Sequence, residues 1–186
     1  MLMLGTDATR VRFEAQVLPH LDAAYRFARW LGHSSSDAQD IVQEAMLRAY
    51  RAFDGLRGTD AKAWLLTIVR NCHATAYQQE QRRGFVALPE HGDAADLHAM
   101  VAAPSDPERQ TMERDDERTL ERLLARLSVE HREILMLREI DEMSYREIAT
   151  ILSVPIGTVM SRLARARAVL KDQWTAEAQG EAHGLS

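Results

Sequence analysis

Between Thr158 and Lys171 the chain carries four basic residues and no acidic one, interleaved with small and apolar side chains. Val159, Leu163, Ala166 and Leu170 recur at i, i+4, i+7 and i+11, so a helix there buries one stripe. A turn of about 100° per residue places Ser161, Ala164, Arg165 and Ala168 on the opposite face. Thr158 and Arg162 rim that face on one side, Met160 and Arg167 on the other. Small side chains permit close approach, while a hydroxyl and guanidinium groups offer hydrogen bonds to phosphates and base edges. The chemistry on offer is the reading of a DNA major groove. The same pattern also suits an amphipathic helix whose basic face is simply solvated. What precedes it favours the first reading. Ser144 with Glu147 forms a capping box that starts a helix, and Ile148, Ile151 and Leu152 give it an apolar face. Pro155 suits the first position of a second helix. Two short helices with a tight turn between them make a helix–turn–helix.

Other chemistries find no support in the residues. There is no glycine-rich phosphate loop, no nucleophile elbow and no metal-spaced set of His, Cys and Asp. Cys72 stands alone, which excludes an intrachain disulfide and a cysteine zinc cluster, and His73 beside it lacks further ligands at useful spacing. No catalytic residue, metal or cofactor is therefore expected. The opening Met-Leu-Met-Leu is too short for a signal peptide and no 18-residue apolar run exists, so a soluble, cytoplasmic protein without direct membrane insertion is expected.

The elements that must position these residues are helical. Ala, Leu, Arg and Glu abound in the 186 residues while alternating β-branched runs are few, which predicts an all-α fold. Residues 1–10 read as a loose N-terminus. An apolar stripe of Leu21, Ala24, Tyr25, Ala28 and Leu31 ends at Gly32, and a polar turn, His33 to Ser36, follows. Asp37 to Phe53 is a third helix with Val42, Ala45, Met46, Ala49 and Phe53 buried. It leaves Asp40, Gln43, Glu44, Arg48 and Arg51 outside, which on physics alone is a solvated charged face. A glycine-punctuated loop leads to a helix from Ala61 to Arg83, with Trp64, Leu65, Ile68, Val69, Cys72 and Ala76 on its apolar side. Its Arg70, Asn71, Tyr77, Arg82 and Arg83 offer charge and a flat ring to single-stranded nucleic acid, although Trp64 and Tyr77 equally suit a core edge.

Composition changes after Arg83. Residues 84–117 hold nine acidic and two basic residues, a charge of −7, so the net −5 of the chain leaves +2 elsewhere. The acidity thus hides locally basic surfaces. Prolines at 89, 104 and 107 complete the picture of a flexible acidic linker joining two small helical domains. The expected layout is residues 11–83, a linker over 84–110, a second domain over 111–171 and a disordered tail over 172–186. In the second domain Leu120, Leu123, Leu124 and Leu127 share a face, and Ser128 caps a helix bearing Ile134, Leu135 and Leu137.

These motifs, in this order, resemble the sigma-70 family, in particular its small two-domain extracytoplasmic-function (ECF) members. Asp37-Ala-Gln-Asp-Ile-Val-Gln-Glu44 with Leu47-Arg-Ala-Tyr50 is similar to the polymerase-binding helix of region 2. Ala63 to Asn71 is similar to the helix bearing the promoter-reading surface, and Asp106-Pro-Glu108 to a connector signature. Leu127 to Leu170 is similar to region 4. Met160 departs from the pattern, standing where the family most often has Lys or Arg. So does Tyr77-Gln-Gln-Glu-Gln81, which is less basic than the usual end of that helix.

The resemblance implies an alternative sigma factor that binds core RNA polymerase, reads −35 and −10 elements and assists promoter melting. It implies that Asp37, Asp40, Gln43, Glu44 and Arg48 dock on the polymerase clamp coiled coil, while the flap receives region 4. By the same resemblance, Arg57, Thr59, Asp60, Lys62, Trp64, Arg70 and Asn71 would meet the −10 element, including a flipped base held near Arg57 to Lys62. Arg138, Tyr145, Thr158, Met160, Ser161, Arg162 and Arg165 would meet −35 DNA. An anti-sigma factor, in this family often membrane-anchored, is the implied inhibitory partner, and it would tether the protein at the inner membrane. A connector of about 30 residues reaches up to ~100 Å, about three duplex turns of ~34 Å, so it can join domains docked well apart. A free-standing helix–turn–helix repressor is the rival from another functional class. It would need dimer symmetry or a receiver domain, and the first 80 residues show no strand pattern for one.

Overall fold

The computed structural model describes residues 7–31, 35–56, 60–82, 119–120 and 122–183. Among these residues there are helices and no strand. Outside them lie the acidic linker, the polar turn at His33 and Ser34, and the loop residues Arg57 and Thr59.

The first half contains α1 (Asp7–Gln16), a 3-10 turn over Leu18–His20, α2 (Leu21–Trp30), α3 (Ser35–Ala52) and α4 (Ala61–Arg82). α2, α3 and α4 pack mutually, and Phe27, Ala45, Ala49, Leu65, Leu66 and Val69 are fully buried between them. The loose N-terminus expected over residues 1–10 is corrected from Asp7 onward. Phe13 of α1 is buried edge-on against Tyr50 and Phe53, at ring-centroid distances of 5.1 and 5.4 Å. That aromatic contact anchors a turn which its own propensity would leave frayed.

The second half contains a short helix α5 (122–125), α6 (Val129–Leu135), a π turn over Met136–Ile140, α7 (Tyr145–Leu152) and α8 (Ile156–His183). Ser128 caps α6 by accepting from the His131 amide. Ser144 and Glu147 make the reciprocal capping box of α7 that the sequence predicts. The turn between α7 and α8 depends on Ser153, which closes α7 in the left-handed conformation at φ 54°. Pro155 stands one place earlier than expected. Its carbonyl accepts from Thr158 and Val159, so it precedes α8 rather than opening it.

The expected disordered tail is also corrected, because α8 continues unbroken through residues 172–183. Glu177 accepts from Arg122 at 3.1 Å and Arg126 at 2.9 Å, and Trp174 lies in an open groove with Leu120, Leu135 and Leu170. These contacts with α5 and α6 hold the extra turns in place.

The two halves share one continuous core, with α7 packed on α4. Polar groups define the seam. The buried Arg132 guanidinium donates to the carbonyls of Leu124, Ala125 and Leu127 at the end of α5, and to that of Trp30 at the end of α2. Glu133 meets Arg70 at 2.5 Å. Asp141, with a side chain 0% exposed, lies 3.1 Å from the Lys62 ammonium and 3.4 Å from the Arg26 guanidinium. The Lys62 ammonium also donates to the Asp141 carbonyl at 2.8 Å.

Arg132→Met would remove one donor from each of four carbonyls, of which that of Leu124 keeps the Leu127 amide. An expected loss of roughly 3–5 kcal/mol in urea unfolding follows, with less than half restored by Arg132→Lys, whose ammonium lacks the planar fork. Ser153→Gly removes the left-handed penalty of a side chain and should raise stability by about 0.5–1 kcal/mol, read by the same unfolding curves.

Candidate protein and nucleic-acid interfaces

α3 turns its apolar residues inward, burying Ala38, Ile41, Val42, Ala45 and Ala49, because they recur at helical spacing. Asp37, Asp40, Gln43, Glu44 and Arg48 consequently all stand exposed on one outward surface. Glu44 and Arg48, four residues apart, are joined at 2.6 Å, and that bond raises the Arg48 pKa. At the centre of the surface sits Leu47, 48% exposed. Sequence reasoning quoted Leu47 within its motif but left it out of the docking set. An apolar residue that falls out of phase with the buried stripe was the available signal. A hydrophobic centre inside a polar rim is the usual make-up of a protein-binding patch. Behind this surface, Cys72 is buried and its thiol pKa is pushed up by desolvation.

The expected −10 residues disperse over the start and middle of α4. Arg57 and Thr59 lie outside the described residues. Asp60 caps α4, its carboxylate accepting from the Ala63 amide at 3.0 Å. Trp64 is half-buried against the core, the core-edge alternative for that ring. Asn71 is exposed, and Tyr77 is exposed beside His73 with near-parallel rings 6.3 Å apart. Lys62 and Arg70 are brought close to acids of the second half, Asp141 and Glu133. None of Arg26, Arg132, Glu133 or Asp141 was singled out from sequence. Burial raises the Glu133 pKa, with Arg70 opposing, and burial lowers that of Arg132.

The third group gathers around α8. Val159, Leu163 and Ala166 are buried as the wheel requires, and Met160, Ser161, Ala164 and Arg165 are exposed. Arg138 lies 5.2 Å over the Tyr145 ring and donates to the Met143 carbonyl at 2.9 Å, so this pair is braced at the start of α7. Two arginines of α8 are held within the same half. Arg162 pairs with Glu130 at 3.4 Å. Arg167 places two nitrogens on one oxygen of Glu139, at 2.9 and 2.6 Å, and its pKa is raised by that contact. Among the described residues Arg165 carries no ion pair. Thr158 is half-buried, and the Ser161 hydroxyl donates back to the Thr158 carbonyl at 3.1 Å.

No group of three His, Cys, Asp or Glu that could hold a metal ion exists among the described residues. No single helix among them is long and apolar enough to cross a membrane.

With this geometry in hand, the comparisons with known proteins are direct. The family model for sigma-70 region 2 matches residues 17–83, and that for sigma-70 region 4 matches residues 117–170. The chain is 35% identical over 139 residues to the RNA polymerase sigma-H factor of Pseudomonas aeruginosa, covering 73% of this chain and 72% of that one. It is 34% identical over 142 residues to the ECF RNA polymerase sigma-E factor of Escherichia coli, covering 75% and 74%. Among solved structures it resembles the sigma factor RpoE of Bartonella quintana, co-crystallised with the anti-sigma factor NepR. That match has a TM-score of 0.69 and 26% identity, and covers 88% of this chain and 97% of the other. CnrH in complex with the cytosolic domain of CnrY is similar at a TM-score of 0.64 and 25% identity, covering 90% of each. With both regions matched in order along one chain, and relatives of that class aligned over about three-quarters of it, the chain belongs to the sigma-70 family of RNA polymerase sigma factors, as an ECF-type member.

Proposed function

We propose that this sigma factor binds core polymerase through the outward face of α3, reads the −10 strand from the start of α4, reads −35 DNA from α8 and helps open the duplex between them. It acts as a specificity subunit in the cytoplasm, without a reaction of its own. The observation that carries the reading is the pairing, on one chain, of an exposed charged patch centred on Leu47 with a capped helix–turn–helix whose outer face is basic. Each is matched by the corresponding family region. An anti-sigma partner, as in the complexes of the two similar structures, would hold the protein inactive and, where that partner is anchored, at the inner membrane.

The seam adds a constraint to this reading. Lys62 and Arg70, assigned here to the promoter strand, are already neutralised by Asp141 and Glu133. A phosphate and a carboxylate are competitors for one ammonium or guanidinium group. Promoter binding therefore exchanges intramolecular acids for DNA, and core polymerase would favour the exchange by docking the two halves apart.

Transcription in vitro with purified core polymerase on a genomic library, with and without this protein, tests the function. New start sites that require it are expected. Failure to bind core polymerase, together with operator binding by the protein alone, would instead point to a free-standing regulator. The Asp141→Asn/Glu133→Gln double variant tests the exchange on the −10 strand of a promoter so recovered. It should bind that oligonucleotide several-fold more tightly than wild type in the absence of polymerase, measured by fluorescence anisotropy. Equal affinities would contradict the competition.

A further inference from the structure

On α8 three of the polar groups that could contact bases are already in use, and Met160 projects beside them as an apolar group. Arg162 is tied to Glu130, Arg167 to Glu139, and the Ser161 hydroxyl donates to the helix's own carbonyl. Met160 is 54% exposed and Ile156, one turn earlier, is 42% exposed. Met160 lies on one rim of the outer face beside Ala164, whereas Ile156 falls close to Leu163 at the edge of the inward stripe. Core packing does not explain the placement of Met160, since Val159 and Leu163 already fill the inward stripe. A large apolar side chain left in water gains free energy by meeting an apolar partner.

Within a major groove the apolar group on offer is the C5-methyl of thymine; the other major-groove positions of the four base pairs that a protein reads are hydrogen-bond donors and acceptors. An unbranched thioether can settle against a methyl group in several rotamers, which suits it to this contact. We infer that Met160 is a specificity-determining residue of α8 that reads thymine methyl groups in the −35 element. The inference rests on α8 being the promoter-reading helix, and it goes further by naming the base and the atom recognised. Arg165, lacking an ion pair among the described residues, then supplies phosphate or guanine contact on the other side of the small Ser161–Ala164 surface.

The test uses complete holoenzyme, assembled from core polymerase and the full chain, on templates with a randomised −35 segment. Wild-type holoenzyme should enrich thymine at one or two positions of that segment among transcribed templates. Replacing those thymines by deoxyuridine, confined to the −35 segment by ligation of synthetic strands, removes only the methyl groups. Initiation should then fall about fourfold for each methyl that loses contact, the value of one buried carbon. Deoxyuridine in the spacer should change nothing. Met160→Lys and Met160→Ala, both at an exposed position and verified as folded by thermal melting, should lose the thymine enrichment and the deoxyuridine effect together.

Variants that keep both would overturn the inference. So would wild-type initiation with neither, although that result leaves the sigma reading standing, because starts would still depend on the protein. If no transcript depends on it, the sigma reading itself fails and the inference falls with it.

Discussion

One buried guanidinium closes the second half and joins it to the first. Arg132 ties three carbonyls at the end of α5 to one at the end of α2, and the Leu124 carbonyl among them also accepts from the Leu127 amide. No carboxylate is among these partners, so the charge is compensated by carbonyl dipoles, and burial shifts its pKa downward accordingly. Lysine would offer a point charge with three rotatable donors, whereas the fixed fork of arginine addresses separated acceptors at once. The geometry of α6, and through it the platform beneath α8, follows from that one side chain.

Charge in this chain is distributed by location rather than by sum. The net value of −5 would argue against a nucleic-acid surface if it were spread evenly. It is not spread evenly. Asp141 and Glu133 are withdrawn into the seam, where they face Arg26, Lys62 and Arg70. Glu130 and Glu139 brace the flanks of α8. The acids nearest the reading helix therefore orient its arginines instead of standing in front of them. Each exposed pair of this kind contributes little to stability. Its value is positional, since a guanidinium held against a carboxylate has a fixed direction.

Periodicity made the inward faces legible. Val159, Leu163 and Ala166, or Ile148, Ile151 and Leu152, are buried because apolar groups at 3.6-residue spacing have one way to leave water. The caps at Ser128 and Ser144 were equally readable, because they are local. What escaped were contacts between residues far apart in sequence. Nothing within a few residues of Asp141 announces Lys62, 79 positions away, or Arg26, 115 positions away. Residues 7–10 and the turns around Glu177 were misjudged for the same reason. Their segments look weak alone, and a distant aromatic cluster or arginine pair holds them. Leu47 was legible in principle, as an apolar residue among the charges of α3, but a charged face invites the solvated reading first.

The segment between α6 and α7 shows how the seam and the helix–turn–helix are coupled. Its π turn brings the Asp141 amide onto the Met136 carbonyl at 3.0 Å, and Glu142 then adopts a left-handed conformation at φ 56°. Such wide turns and positive φ values are uncommon for ordinary residues and persist where surrounding contacts fix them. Here those contacts are the two cations on Asp141 upstream and the Ser144 capping box downstream. Releasing Asp141 from Lys62 and Arg26 removes one restraint on this turn, which the Met143 amide on the Leu137 carbonyl and Arg138 on the Met143 carbonyl also hold. The change would reach Arg138 and Tyr145, which flank it, before it reached α8. Under the proposed function, a promoter strand that captured Lys62 would act on the same short segment that leads into the helix–turn–helix. Reading of two promoter elements would in that case be linked through the residues between Met136 and Ser144.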